Sequence, residues 1–150
     1  MNQLRTTLGV GLLIAAALVV PACGSEENND YVDEVNELQG AYVEDVTDLT
    51  SVAPSSPDAV AKTAADLADL TARLASDIED VEPPDDVAEL HQQLVGELDK
   101  VADQIGGLEE DLAGSNPQQA VQAATDLTSA ITRSQTEIQS LIGQINEELG

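Results

Sequence analysis

Apolar residues recur three or four positions apart along most of the chain after Asp30, and they rarely alternate with polar residues. The clearest stretch, from Val60 to Val81, steps by four and three residues in turn. A helix with this spacing carries one apolar stripe, with acidic and polar residues on its opposite face. The pattern therefore predicts amphipathic helices near residues 28–52, 57–81, 84–113 and 117–149.

Proline and capping residues mark the predicted helix boundaries. Pro57 follows Ser56 and Pro117 follows Asn116, and a capping residue before proline is typical of a helix start. The stretch 83–86, Pro-Pro-Asp-Asp, separates the second and third helices. Helices of similar length with short connections favour antiparallel neighbours. We predict an all-α fold, an antiparallel up-down four-helix bundle.

The predicted core is aliphatic, because the chain has two tyrosines and neither phenylalanine nor tryptophan. Tyr31 and Tyr42 are three helical turns apart, and we expect both to complete the edge of the core. The single histidine, His91, follows Leu90 at the shoulder of the third stripe. We expect a half-buried histidine that packs against its neighbours; a pH-sensitive contact and an accessory metal ligand are the alternatives.

An apolar run without charged residues precedes the predicted bundle, from Leu8 to Val20. It has the length of the apolar core of a signal peptide and is shorter than the roughly 20 residues that span a bilayer. Cys23, the only cysteine of the chain, follows the run and is flanked by the small residues Ala22 and Gly24. A cysteine at this position is explained better as a processing site than as part of a core.

The junction Val20-Pro21-Ala22-Cys23 resembles the lipobox of bacterial lipoproteins. In that family the cysteine thiol receives a diacylglyceryl group, and signal peptidase II then cuts before the cysteine. The resemblance implies cleavage between Ala22 and Cys23, with diacylglycerol on Cys23 and, optionally, an N-linked acyl chain. An uncleaved membrane anchor and an ordinary secretory signal are the alternatives.

This interpretation divides the chain and sets its location. Residues 1–22 are the signal peptide, residues 23–29 are the acylated cysteine with a short tether, and residues 30–150 are the acidic helical bundle. Two or three acyl chains anchor a protein stably, whereas a single chain binds marginally. We expect a protein anchored to the cell membrane by lipid, on its extracytoplasmic face.

The chain is strongly acidic, with 29 aspartates and glutamates against five lysines and arginines. Removal of residues 1–22, which contain Arg5 and no acidic residue, changes the formal net charge from −24 to −25. This charge excludes nucleic acid as a partner and disfavours electrostatic docking on anionic lipid. The expected partners are cations or a basic protein of the envelope; solubility near a membrane and a salty habitat also explain the acidity.

No arrangement of residues predicts a catalytic site. A di-iron bundle needs Glu-x-x-His pairs, and Ala88 stands three positions before His91. Zinc would lack both thiolates and a second imidazole. The sequence has no haem-attachment motif, no glycine-rich phosphate loop and no nucleophile elbow. We expect no enzymatic activity and no cofactor besides the lipid on Cys23.

One acidic cluster surrounds the turn between the second and third helices. Its candidate cation ligands are Asp77, Asp80, Glu82, Asp85, Asp86 and Glu89. In an up-down bundle this turn shares an end with the start of the first helix and the finish of the last. We expect a binding or spacer module at the cell surface; weak binding or buffering of Ca²⁺ by this end is the alternative. The stretch 83–91 also resembles a helix start of helical lipoproteins from high-GC Gram-positive bacteria, which implies no known activity.

Overall fold

The computed structural model describes residues 18, 26–51, 57–112 and 117–150, with the side chains of 57–58, 108–112, 117–124 and 126–128 excepted. The described secondary structure is helical throughout. Four α-helices follow one another, with a short 3₁₀ helix before the third. They are α1 (Glu26–Thr50), α2 (Pro57–Glu79), the 3₁₀ helix (Asp85–Val87), α3 (Ala88–Leu112) and α4 (Pro117–Leu149).

The helix starts predicted at proline are confirmed, because α2 begins at Pro57 and α4 at Pro117. The third start differs: Pro84 has an extended backbone with ψ 146°, and the 3₁₀ turn after it delays α3 until Ala88. α1 begins at Glu26, so the last four residues of the predicted tether are helical. The caps predicted at Ser56 and Asn116 lie outside the described residues.

Successive helices pack against each other in antiparallel order. α1 packs on α2, α2 on α3, and α3 on α4. The side-chain amide of Asn28, in the first turn of α1, donates to the carbonyl of Leu149 at the end of α4, with an N–O distance of 3.2 Å. The start of α1 and the finish of α4 therefore lie at the same end, and the predicted up-down four-helix bundle is confirmed.

The core is aliphatic, as its composition requires. The most deeply buried apolar side chains come from all four helices and the 3₁₀ turn, and they include Val35, Ile78, Val87, Leu94, Leu98, Val101, Ile105, Ile138 and Ile145. Each of them belongs to a predicted stripe. None of the helices in the described part of the chain combines the length and apolar character needed to cross a membrane.

Candidate functional site

The six candidate cation ligands lie at one end of the bundle, and all of them are exposed. Asp77 belongs to the last turn of α2, and Asp80 and Glu82 follow that helix. The other three, Asp85, Asp86 and Glu89, belong to the 3₁₀ turn and the first turn of α3. The six carboxylates therefore lie in and on either side of the turn between α2 and α3.

Residues at this end of the bundle line two shallow depressions that open to solvent. Glu82 shares the first with Tyr31 and four acidic side chains of α1, namely Glu26, Glu27, Asp30 and Glu34. Asp86 and Glu89 share the second with Leu90, Gln93 and three residues of α4, namely Gln144, Glu147 and Glu148. The carboxylates from the helix ends thus meet as predicted, but the structure divides the candidate ligands between two places.

Asp77, Asp80 and Asp85 line neither of these depressions. Within the described ranges no three His, Cys, Asp or Glu side chains are grouped so that they could hold a metal ion. The structure therefore gives an acidic surface made by four helix ends, hereafter the acidic end. It brings Glu82 to α1 and Asp86 with Glu89 to α4.

His91 lies directly inside the acidic end, and it is fully buried rather than half-buried as predicted. Its Nδ1 is 3.2 Å from the hydroxyl oxygen of Tyr31, which is 2 % exposed. The two rings meet edge to face, with centroids 5.8 Å apart and planes at 61°. The burial of His91 was predicted too low. The spacing along α3 gives only the angular position of His91 around the helix, whereas the burial of its side chain also depends on Tyr31 from α1.

Burial governs the protonation of this pair. It lowers the pKa of the His91 imidazole below its usual 6.5, and the carboxylate of Glu79 opposes that shift. Burial also raises the pKa of the Tyr31 phenol to about 12. His91 and Tyr31 are therefore both neutral near pH 7. Nε2 of His91 is buried and has no hydrogen-bond partner among the described atoms.

A second buried polar contact joins α1 to α2. The hydroxyl of Thr71 donates to the backbone carbonyl of Leu67 at 2.8 Å. Because that proton is used, Tyr42 donates its own hydroxyl proton to Oγ1 of Thr71, across 3.0 Å. Burial raises the pKa of Tyr42, and the hydrogen bond with Thr71 partly offsets this. The hydroxyls of Tyr42 and Thr71 thus link α1 to α2 inside the core, and both residues are buried.

The predicted processing site, Ala22 and Cys23, lies outside the described residues, but one residue of the apolar run is described. Leu18 is 2 % exposed and belongs to the core cluster. Its backbone N–H donates to Oδ1 of Asn36 at 3.0 Å, and Nδ2 of Asn36 donates back to its carbonyl at 2.9 Å. Nothing in the spacing of α1 singled out Asn36, because a lone asparagine on a helix flank has no sequence signal.

Comparison with known proteins places the chain in a family. No curated protein and no solved structure matches it. A family model described as "Family of unknown function (DUF6376)" matches residues 25–148. The matched range contains the four-helix bundle up to the penultimate residue of α4, and the chain therefore belongs to the family of unknown function DUF6376.

Proposed function

We propose that this protein is an extracytoplasmic lipoprotein, held in the cell membrane by a lipid on Cys23, and that its bundle acts by binding or spacing rather than by catalysis. The observation that carries the proposal is the position of the acidic end. Its carboxylates surround the start of α1, which begins at Glu26, three residues after Cys23. Because Cys23 precedes Glu26 by only three residues in sequence, a lipid on Cys23 would be attached close to the acidic end.

With a lipid on Cys23, this geometry would favour one orientation of the bundle. Three residues reach at most about 10 Å, so the acidic end would face the head groups. α3 has 25 residues and is about 37 Å long, so the opposite end would stand about that far above the membrane. A net charge of −25 after cleavage repels anionic head groups and attracts basic surfaces. The partner that fits best is a basic protein of the envelope, bound beside the membrane.

Mass spectrometry of the protein extracted from cell membranes tests the anchor. We expect a chain that begins at Cys23 and carries a diacylglyceryl group. The Cys23→Ala variant should accumulate as an unacylated precursor, whereas Ser25→Ala should be processed like the unmodified chain. A wild-type chain with residues 1–22 still attached, or with a free Cys23 thiol, would refute the anchor.

Retention on immobilised polylysine tests whether the acidic end is the binding surface. One variant neutralises three of its carboxylates, Glu82→Gln, Asp86→Asn and Glu89→Gln. The matched control neutralises three exposed carboxylates near the other end of α1, Glu44→Gln, Asp45→Asn and Asp48→Asn. We expect the first variant to elute at lower salt than the control. Equal elution would mean that net charge alone attracts the basic partner.

A second candidate function is weak, diffuse Ca²⁺ binding to the two carboxylate-lined depressions, where the described carboxylates form no ready-made metal site. Ca²⁺ takes several carboxylate oxygens in a flexible shell. Thermal unfolding followed by circular dichroism, in chelator, in millimolar Ca²⁺ and in NaCl of equal ionic strength, tests it. A midpoint raised by Ca²⁺ beyond the NaCl value, and lost in the acidic-end variant, supports a site. Equal midpoints in both salts mean screening alone.

A further inference from the structure

The side-chain amide of Asn36 forms two hydrogen bonds with the backbone of Leu18, as a peptide group of a neighbouring strand would. Its side-chain amide accepts from the backbone N–H of Leu18 at 3.0 Å and donates to the backbone carbonyl of the same residue at 2.9 Å. Leu18 is 18 positions away in sequence, yet it is only 2 % exposed. One asparagine thus pairs both backbone polar groups of a buried residue.

The pairing explains why a residue without regular secondary structure can be buried there. A backbone N–H or carbonyl that leaves water without a partner destabilises the folded state. Asn36 removes that cost for both groups at once. These two hydrogen bonds do not depend on which residue occupies position 18, because they involve only its backbone. The burial of its side chain among core residues selects an apolar one.

The flank of α1 that carries Asn36 differs from the face that packs on α2. At 100° per residue, Asn36 lies about 120° around the helix from Tyr42, which bonds to α2. Val32 and Gln39 are next to Asn36 on the helix surface, at spacings of four and three residues, and both are buried; Gln39 lies midway between Asn36 and Tyr42. Among the described helices, α2 is the one on which α1 packs extensively. This flank, Val32, Asn36 and Gln39, is hereafter the Asn36 seat.

We propose that the Asn36 seat is a docking site for an apolar peptide segment of another protein, which in the processed chain takes the place that Leu18 holds before processing. This inference rests on the proposed function, because cleavage before Cys23 removes Leu18. The seated leucine identifies the chemistry of the ligand: an unpaired backbone N–H and carbonyl on one residue, with an apolar side chain. A peptide bound at the Asn36 seat would be recognised by hydrogen bonds and apolar burial. It would therefore be a different partner from the basic protein that the net charge attracts.

The first test uses the full-length chain with Cys23→Ala, made by cell-free synthesis in mild detergent. A photoreactive leucine at position 18 keeps both the backbone groups and the side-chain shape. We expect its cross-links on α1 around Asn36, and several-fold less of this product with Asn36→Ala. The matched control is Glu37→Ala, an exposed neighbour, which should leave the yield unchanged. Cross-links that avoid α1, or that persist in the Asn36→Ala variant, overturn the seat.

The second test uses the processed protein and a labelled synthetic peptide of residues 13–22 with a neutral polyether tail. We expect binding by fluorescence anisotropy that Asn36→Ala weakens about tenfold, since two hydrogen bonds are lost. N-methylation of the peptide at Leu18 removes one donor and should weaken binding to wild-type protein but not to Asn36→Ala. Absence of binding, or binding equal in both proteins, overturns the docking site.

The two tests separate this inference from the proposed function. The cross-link is measured on an unprocessed chain and does not depend on lipid or cleavage. If mass spectrometry finds no cleavage at Cys23 while the cross-link forms, the lipoprotein proposal fails and the occupied seat stands. If cleavage is found and the peptide does not bind, the lipoprotein proposal stands and the docking site fails.

Discussion

His91 and Tyr31 are buried polar residues in a core made almost wholly of aliphatic side chains. The helical spacing predicted Tyr31 at the edge of the core and His91 half-buried at the shoulder of its stripe, whereas the structure buries both side chains fully. Their contact was not predictable, because they are 60 positions apart and each stripe gives only an angle about its own helix axis. The depth of a side chain depends on which neighbouring helix covers it, and that is a property of the assembled bundle.

The lowered pKa of His91 makes stability depend on pH. Below pH 6.5 the unfolded chain takes up a proton that the folded chain resists, so this contribution is complete above pH 6.5 and is lost as the pH falls toward the folded-state pKa. We expect the stability advantage of the wild type over His91→Leu to shrink between pH 7 and pH 5. Urea unfolding at both values measures it, and the comparison cancels the protonation of carboxylates common to both proteins.

Two further variants sharpen this prediction. Glu79→Gln removes the carboxylate that opposes the shift, so the loss on acidification should become larger. Tyr31→Phe keeps the histidine buried without the hydroxyl and should retain a pH dependence of the same sign. An advantage over His91→Leu that stays constant from pH 7 to pH 5 would show that the folded protein accommodates the imidazolium as easily as the unfolded chain does.

The hydroxyls of Tyr42 and Thr71 should be energetically coupled. Tyr42→Phe removes one buried hydrogen bond and should lower the free energy of unfolding by about 0.5–1.5 kcal/mol. Thr71→Val leaves the Tyr42 hydroxyl without this acceptor and should cost at least as much. The double variant should lose less than the sum of the single losses, as a double-mutant cycle in urea would measure. Strictly additive losses would show that the two hydroxyls contribute independently.

At the scale of the helices, the sequence predicted the starts of α2 and α4 well and the turn before α3 less well. Proline at the first helical position marks the two good cases, because it fixes φ and lacks an N–H that a helix start does not need. After Pro84 the residues Asp85–Val87 form a 3₁₀ turn, and the spacing of apolar residues does not distinguish such a turn from the start of an α-helix. α3 runs through Gly106 and Gly107 without interruption.

The glycines inside the helices cost stability without a packing reason that would require them. A methyl group added at Gly40, Gly107 or Gly143 meets no atom within 4 Å. Alanine at each of these positions should raise the free energy of unfolding by up to about 1 kcal/mol, because it restricts the unfolded backbone. Chemical denaturation of the three single variants checks this, and a loss of stability in Gly107→Ala would show that α3 needs flexibility there.

Gly106→Ala is the informative comparison. Its added methyl would lie 3.8 Å from Cβ of Ala68 on α2, which is ordinary van der Waals contact. We therefore expect a gain at least equal to that of Gly107→Ala, since a contact between α2 and α3 is added to the backbone effect. A gain smaller than that of Gly107→Ala would mean that the two helices approach more closely than this distance allows.

For the whole molecule, repulsion among carboxylates should limit stability. The ion pairs in the described residues lie within single helices and have exposed lysines, Lys62 with Asp66 and Lys100 with the half-buried Glu97, so they do little to join helices. Added NaCl should raise the unfolding midpoint, by about 2–4 °C for each kcal/mol recovered. The variant Glu44→Gln, Asp45→Asn and Asp48→Asn should respond less to salt, and an unchanged midpoint in the wild type would contradict the prediction.

The placement of α1 also determines how the bundle would respond to mechanical force. A pull applied ahead of Glu26 enters the molecule through the helix whose main contact is a single neighbour, α2. It loads the hydrogen bond from Asn28 to the end of α4 first. Tension perpendicular to the helix axes would then peel α1 from α2 turn by turn, whereas α2, α3 and α4 share a larger packed interface. A membrane anchor at that terminus would make α1 the segment that yields first when the cell surface is sheared.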